Sequence, residues 1–527
     1  MLNLTRALAG GAFREIGDPQ AAAFNERHVV VGGSLGYPQW AGRDLTSRSA
    51  RAGRFPLAVY RRQVLECVWS YTCVFPVNAI AIHPEGRLVA VGTGSYDGGY
   101  SFKGQLHILD LLSGHRTSAL KEERSIEHVA WLDDTRLEIL TPPSTDEDYD
   151  WDQPTQARCV LEANWMHVGP RELSLPERPQ EAARKAPPWN TELLPRLAEE
   201  AGQEWAKEEP VWDLALTSSH TLLACRKHVA AEAWDLATGE MMWRQGTHGT
   251  GAQLFMAPDG EQVLSNSTPA WSQQGQQEPQ PGALTWFDTD TGSQMQQQVV
   301  EGPHLVVEAN DHRRLIRSVG SDSKQVSRLA VLAADGGVGD AIDDTGYDLF
   351  NHYLRVRSAP DLLVLVGSQK EPHKDKWFGR LKDTRIERLF PLSPLEGRHA
   401  FGGPGYFLDQ GREKLLVHGG AFHDGSGLQA GGAFIAARSY ANGDPVWQVP
   451  VDSQVADLDA DGTQLVGLLN EGTLIGIDAE SGALLWRETL TVEGRAIVTL
   501  CMRVRGPGRF VVGTLDGRII EVTRIES

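Results

Sequence analysis

Apolar stretches of strand length alternate along the chain with turn signals built from Gly, Pro, Asp and Glu. Ala81–Gly92 (AIHPEGRLVAVG) reads strand, turn, strand, and so do Leu254–Leu264 (LFMAPDGEQVL) and Val455–Val466 (VADLDADGTQLV). Their x-P-[DE]-G and D-A-D-G centres are strong β-turn sequences. A further strand opens with G-x-[LI] at Gly104–Leu106, Gly472–Leu474 and Gly517–Ile519. A third mark closes it. Asp235–Trp243 (DLATGEMMW) and Asp478–Trp486 (DAESGALLW) share D-x-x-[ST]-G-x-x-x-W at identical spacing. Asp110–Gly114 and Asp288–Gly292 keep the turn without the Trp, and Asn442–Trp447 is a degenerate copy.

This spacing encodes a hairpin. The Asp carboxylate accepts hydrogen bonds from the turn, the Gly supplies a positive φ, and the next strand carries a Trp to a fixed place. A ring of that size packs between neighbouring sheets, so Trp243 and Trp486 read as inter-sheet core. Each full unit is then four strands joined as an antiparallel meander, most cleanly over residues 453–487. One such sheet is too small to stand alone, and radial repetition buries both its faces.

The fold class expected is all-β: a β-propeller of four-stranded antiparallel blades with a short helical insertion. Blade-like units fall near 22–70, 74–118, 123–165, 208–245, 250–297, 302–343, 347–392, 400–449, 452–488 and 494–523. Ten exceeds the usual four to eight blades. The expectation is one closed ring of seven or eight, the surplus units being long loops. A larger ring and two small propellers are the alternatives. The last unit ends after its third strand, and Met1–Leu8 is expected to supply the fourth. These units resemble blades of the WD-repeat and quinoprotein-like superfamilies, the D-x-x-[ST]-G-x-x-x-W copies being nearer the latter. That resemblance implies architecture and hardly constrains function.

The propeller is expected over 1–165 and 211–527, interrupted at 166–210 by a Pro- and Glu-rich insertion. Within it Leu193, Leu194, Leu197, Ala201 and Trp205 share one helical face. Thr191 is a possible N-cap, while Pro195 favours a start near Leu194. The face either packs on the propeller rim or docks a partner, which makes Leu193, Leu197 and Trp205 candidate partner-binding residues. The acidic loop Asp146–Asp152 (DEDYDWD) supplies Asp146, Asp148, Tyr149, Asp150 and Trp151 as further candidates, because interfaces favour aromatics. It lacks the Gly and Glu of a calcium loop.

The 527 residues carry 50 Lys+Arg against 69 Asp+Glu, a net charge of −19, which argues against nucleic acid. No run is long enough for a membrane helix, and Met1–Glu15 shows no secretory pattern, so the expected location is cytoplasmic. Five scattered cysteines read as small strand hydrophobes. No nucleophile elbow, HExxH, CxxC or phosphate loop is present, and His83, His107 and His115 read as structural. No catalytic, cofactor or metal residues are assigned. The function expected is a non-catalytic interaction scaffold, a propeller subunit of a larger cytoplasmic multiprotein assembly of bacterial type, whose protein partners carry basic or amphipathic segments. One alternative is a hydrolase or lyase with its site at the channel mouth; another is an envelope-assembly propeller from which a signal peptide has been removed.

Overall fold

The computed structural model describes residues 2–525 except 9–10, 35–54, 97–100, 144–154, 178–179, 184–189, 204, 206–208, 218–219, 258, 269–281, 301–303, 310–313, 319–328, 333–337, 343–355, 368–375, 384, 393–398, 410, 412, 424–427, 463 and 493–494. The chain divides into two compact units. One is formed by Met1–Ala9 and Glu209–Ser527, the other by Gly10–Gly36 and Arg51–Glu208.

The smaller unit holds three four-stranded antiparallel sheets, at 18–73, 77–118 and 128–183. Val30, Leu57, Val91 and Leu109 pack the first against the second, and Leu106, Ile108, Ile139 and Leu161 pack the second against the third. Val29, Val30 and Val31 are all fully buried, although successive strand residues face opposite ways. The first sheet is therefore covered on both faces, which explains an unbroken apolar run where a half-exposed strand would alternate. Its second cover is Phe13 and Ile16 together with Leu194, Leu197 and Ala198.

Those last residues belong to the helix Leu194–Glu200, which begins where Pro195 can occupy its first turn. Thr191 does not cap it. A 3-10 turn, Thr191–Leu193, precedes the helix, and Asn190 enters it at φ 47° without a side-chain cap. The stretch expected as a helical insertion also holds a strand: Gln180–Ala183 pairs with Thr155–Glu162 as the fourth strand of its sheet.

Among the described residues the larger unit holds seven blade-like sheets in sequence order, besides a two-stranded ribbon at 491–496. The first two, 211–246 and 250–300, run together through shared long strands. The strand Thr221–Asp235 has 15 residues, about 50 Å if extended. Yet the Leu236 N–H donates to the His220 carbonyl at 2.6 Å. The segment must double back, and it does so beside His228, at φ 60°. The remaining sheets lie at 304–341, 363–391, 399–451, 455–489 and 499–524. The one at 363–391 has three strands among the described residues.

Each sheet packs on the next. Leu284 meets the cluster of Ile316, Leu315 that of Leu381, Phe378 that of Phe407, Ile435 that of Leu458, and Leu468 that of Met502. The last sheet then meets the first: a Cβ on Gly513 would stand 2.7 Å from Val211 Cγ1. The seven sheets close on themselves as propeller blades. The outermost strand of the last blade is Leu2–Ala7, antiparallel to Ile519–Arg524.

All ten spans read as blade-like thus carry sheets. None is a long loop, in contrast to what a ring of seven or eight led us to expect of the surplus. Seven belong to the closed unit and three to the other.

The turn motif takes the form its spacing requires. Asp288 Oδ1 accepts from the Thr291 N–H at 2.8 Å and Asp478 Oδ1 from the Ser481 N–H at 2.8 Å. These bonds hold both carboxyls below the usual carboxylate range, the Thr291 and Ser481 side-chain hydroxyls contributing most. The Trp docks on the neighbouring blade. The Trp243 N–H donates to the Thr289 carbonyl at 3.1 Å, and the Trp447 N–H to the Ala479 carbonyl at 3.2 Å. Trp486 instead donates to Gln464 Oε1 of its own sheet and packs 6.0 Å from the Phe510 ring of the next. Where the terminal strand closes the ring, Arg6 takes the equivalent place: its Nη2 donates to the Leu236 carbonyl at 2.5 Å.

Candidate functional site

The innermost strand of blade after blade carries one extra residue at the same place. The pairing register shifts between Val211 and Asp213, Gly251 and Gln253, Val306 and Glu308, Val455 and Asp457, and Thr499 and Cys501. Such a β-bulge twists the strand and re-aims the next side chain. In four consecutive blades that next residue reaches the following blade. Asp457 Oδ2 accepts from the Met502 N–H at 2.9 Å. Cys501 Sγ donates to the Val211 carbonyl at 3.3 Å. Asp213 Oδ2 accepts from the Leu254 N–H at 3.0 Å. Gln253 bonds both main-chain groups of Val306, donating to its oxygen and accepting from its nitrogen.

Two of these stitches are buried carboxylates, Asp213 at 0% and Asp457 at 2% exposure. Buried charge needs a partner. Arg503, also buried, bridges them, with Nη2 at 2.9 Å from Asp213 Oδ1 and Nη1 at 3.2 Å from Asp457 Oδ2. Arg357 adds a second guanidinium, its Nη2 at 2.9 Å from Asp457 Oδ2 and its Nη1 donating to the Leu458 carbonyl at 3.0 Å. Burial alone pulls Arg357 down. The charges of Asp457, Asp459 and Asp213 more than reverse that and hold it protonated, above its ordinary value.

Arg357 arrives by an irregular route. Among the described residues the three-stranded blade has no innermost strand, and Val356–Arg357 runs parallel to Gly405–Tyr406 at the inner edge of the next blade. Beside it lies a pocket of about 400 Å³. Its polar lining is Arg357, Arg503, Asp459, Asp361 and Ser358, and Phe255, Met256 and Leu362 are among its apolar residues.

The residues singled out from sequence do not gather here. Asp146, Asp148, Tyr149, Asp150 and Trp151 lie outside the described residues. Leu197 is buried against the first sheet of the smaller unit, and Leu193 is partly buried. Trp205 packs edge-on to Phe13 at 5.7 Å. His83 bonds the Asp134 carbonyl through Nε2 at 3.0 Å, and His115 bonds Thr117. All five cysteines lie in strands and are unbridged, and four of them are buried. Among the described residues no group of three His, Cys, Asp or Glu side chains could hold a metal ion, and no helix is long and apolar enough to cross a membrane.

The sequence carries little trace of the stitching: Asp213 and Asp457 each precede a Leu, as other aspartates do, and the bulge that aims them shows only in the pairing. Arg357 had none, because its strand departs from the repeat. No protein-family model matches the chain, and no curated protein matches it in sequence.

Proposed function

We propose that this chain is a non-catalytic interaction scaffold, a propeller subunit of a larger cytoplasmic assembly whose partners carry basic or amphipathic segments. One recurrence carries this reading. The third residue after the turn Gly, on the outermost strand, is a large apolar side chain in four blades. Met242, Met295, Val446 and Leu485 are 47%, 55%, 41% and 48% exposed. A single exposed apolar residue is ordinary. The same exposure at one repeat position, on edge strands, suits surfaces that partners cover. The net charge of −19 steers basic segments toward such a surface.

The test is capture from the native host with the tagged full chain and with a variant carrying Met242→Ser, Met295→Ser, Val446→Ser and Leu485→Ser. The reading expects a stoichiometric partner that the variant loses while its melting temperature holds. No retained partner, or equal retention by the variant, contradicts it.

A further inference from the structure

We propose that the pocket beside Arg357 is a binding site for an alkylammonium group, the protonated amine of a small diamine or of a lysine side chain. Its volume, about 400 Å³, falls within the range of ligand pockets. Ser358, one of its lining residues, is exposed. The pocket's chemistry is set by which hydrogen-bonding groups are already occupied.

The guanidiniums are largely engaged. Arg357 places its two Nη atoms on Asp457, Leu458 and Met502, and Arg503 places its own on Asp213, Asp457 and Met502. They line the pocket with their donors turned to acceptors of the protein, so an anion finds few of them free.

The carboxylates keep capacity. A carboxylate offers about four acceptor positions. Asp459 uses two, on the N–H groups of Val504 and Ala460. Asp361 accepts from the Tyr440 hydroxyl at 2.6 Å, with Arg380 at 3.9 Å. In the lining itself Arg357 and Arg503 stand against Asp459 and Asp361; behind it Asp213 and Asp457 add two carboxylates, and Arg380, 3.9 Å from Asp361, adds one guanidinium. The surplus is negative. Leu216, Leu254 and Phe255 complete the wall, an apolar bed for a short methylene chain.

A ligand that brings donors, a positive charge and a short aliphatic arm satisfies all three conditions. An uncharged isostere satisfies only the last.

The test is isothermal titration of the full chain with 1,4-diaminobutane and, in a separate arm, with the blocked lysine N-acetyl-lysine methylamide. The uncharged control is 1,4-butanediol. Saturable binding of at least one amine is expected, weakening as salt rises, with none for the diol. The arm that binds identifies whether a free amine or a side chain is the occupant. Asp459→Asn should weaken binding at least five-fold. Ala359→Trp fills the pocket without removing a hydrogen bond and should abolish binding, with folding checked by the melting temperature. No saturable heat with either amine, equal binding of the diol, or unchanged affinity in a folded Ala359→Trp variant overturns the proposal. If neither variant folds, the amine, diol and salt comparisons on the unaltered chain decide.

Discussion

Trp243 and Gly292 meet across neighbouring blades, and neither can change without the other. A Cβ on Gly292 would stand 2.5 Å from Trp243 Cδ2, and the glycine sits at φ 69°. The D-x-x-[ST]-G turn of one blade is thus the seat for the Trp of the blade before it.

Gly292→Ala should therefore cost more than a backbone penalty. Gly462 has φ 62°, and a Cβ added there would meet no atom within 4 Å, so it isolates the conformational part. Gly462→Ala is expected to lose about 1 kcal/mol, and Gly292→Ala at least about 1 kcal/mol more through displacement of the indole. Urea denaturation of both variants checks this; equal losses would remove the inter-blade role of the turn.

The stitch at Asp213 predicts a second effect. Asp213→Ala leaves the Leu254 N–H without its acceptor and deprives buried Arg503 of one counter-charge. The expected loss is about 3–5 kcal/mol, as for other broken buried pairs. Asp213→Asn keeps an acceptor oxygen and should lose less. A matching loss for both variants in chemical denaturation would show that charge alone matters there.

Two buried histidines predict acid sensitivity. Burial, aided by Arg116, lowers His107 to about 4. Burial, aided by Arg438 and opposed by the Gly419 carbonyl, lowers His418 to about 3. The unfolded chain takes up these protons near 6.5 and the folded chain does not. Stability is therefore full above pH 6.5 and falls as the pH drops toward the folded values, by about 3 kcal/mol for His107 and about 5 kcal/mol for His418. Turn carboxylates such as Asp288 act in a lower window, below about 4. Urea midpoints from pH 7.5 to 4.5 should fall steadily, and His107→Leu should flatten the part that belongs to the smaller unit. A flat wild-type profile contradicts this.

Much of this architecture was legible because it is local. Turn geometry at Asp288–Gly292 follows from spacing alone, and so do the strands on either side of it. The partnership of Trp243 with Thr289 was legible only as a tendency of large rings to pack between sheets; which turn receives the ring depends on the neighbouring blade. The division into seven sheets and three was hidden, since a blade's own sequence is the same in either setting. The pocket was hidden for the opposite reason. Val356–Arg357 breaks the repeat, and periodic reading discards what does not repeat. Leu194 and Leu197 do lie on the apolar face of a helix, but that helix ends at Glu200, short of Trp205, and the pattern could not say that Phe13 and Tyr60 already cover these side chains.

Closure of the seven-sheet ring by the chain's first strand is the central claim. Leu4 pairs with Val522, and Arg6 reaches both Glu521, at 2.7 Å, and the blade beyond. Hydrogen–deuterium exchange over Ile519–Arg524 is the direct measurement, comparing the full chain with one lacking residues 1–8. Ring closure predicts slow exchange in the full chain and rapid exchange in that stretch after deletion. Identical exchange in the two proteins would contradict it.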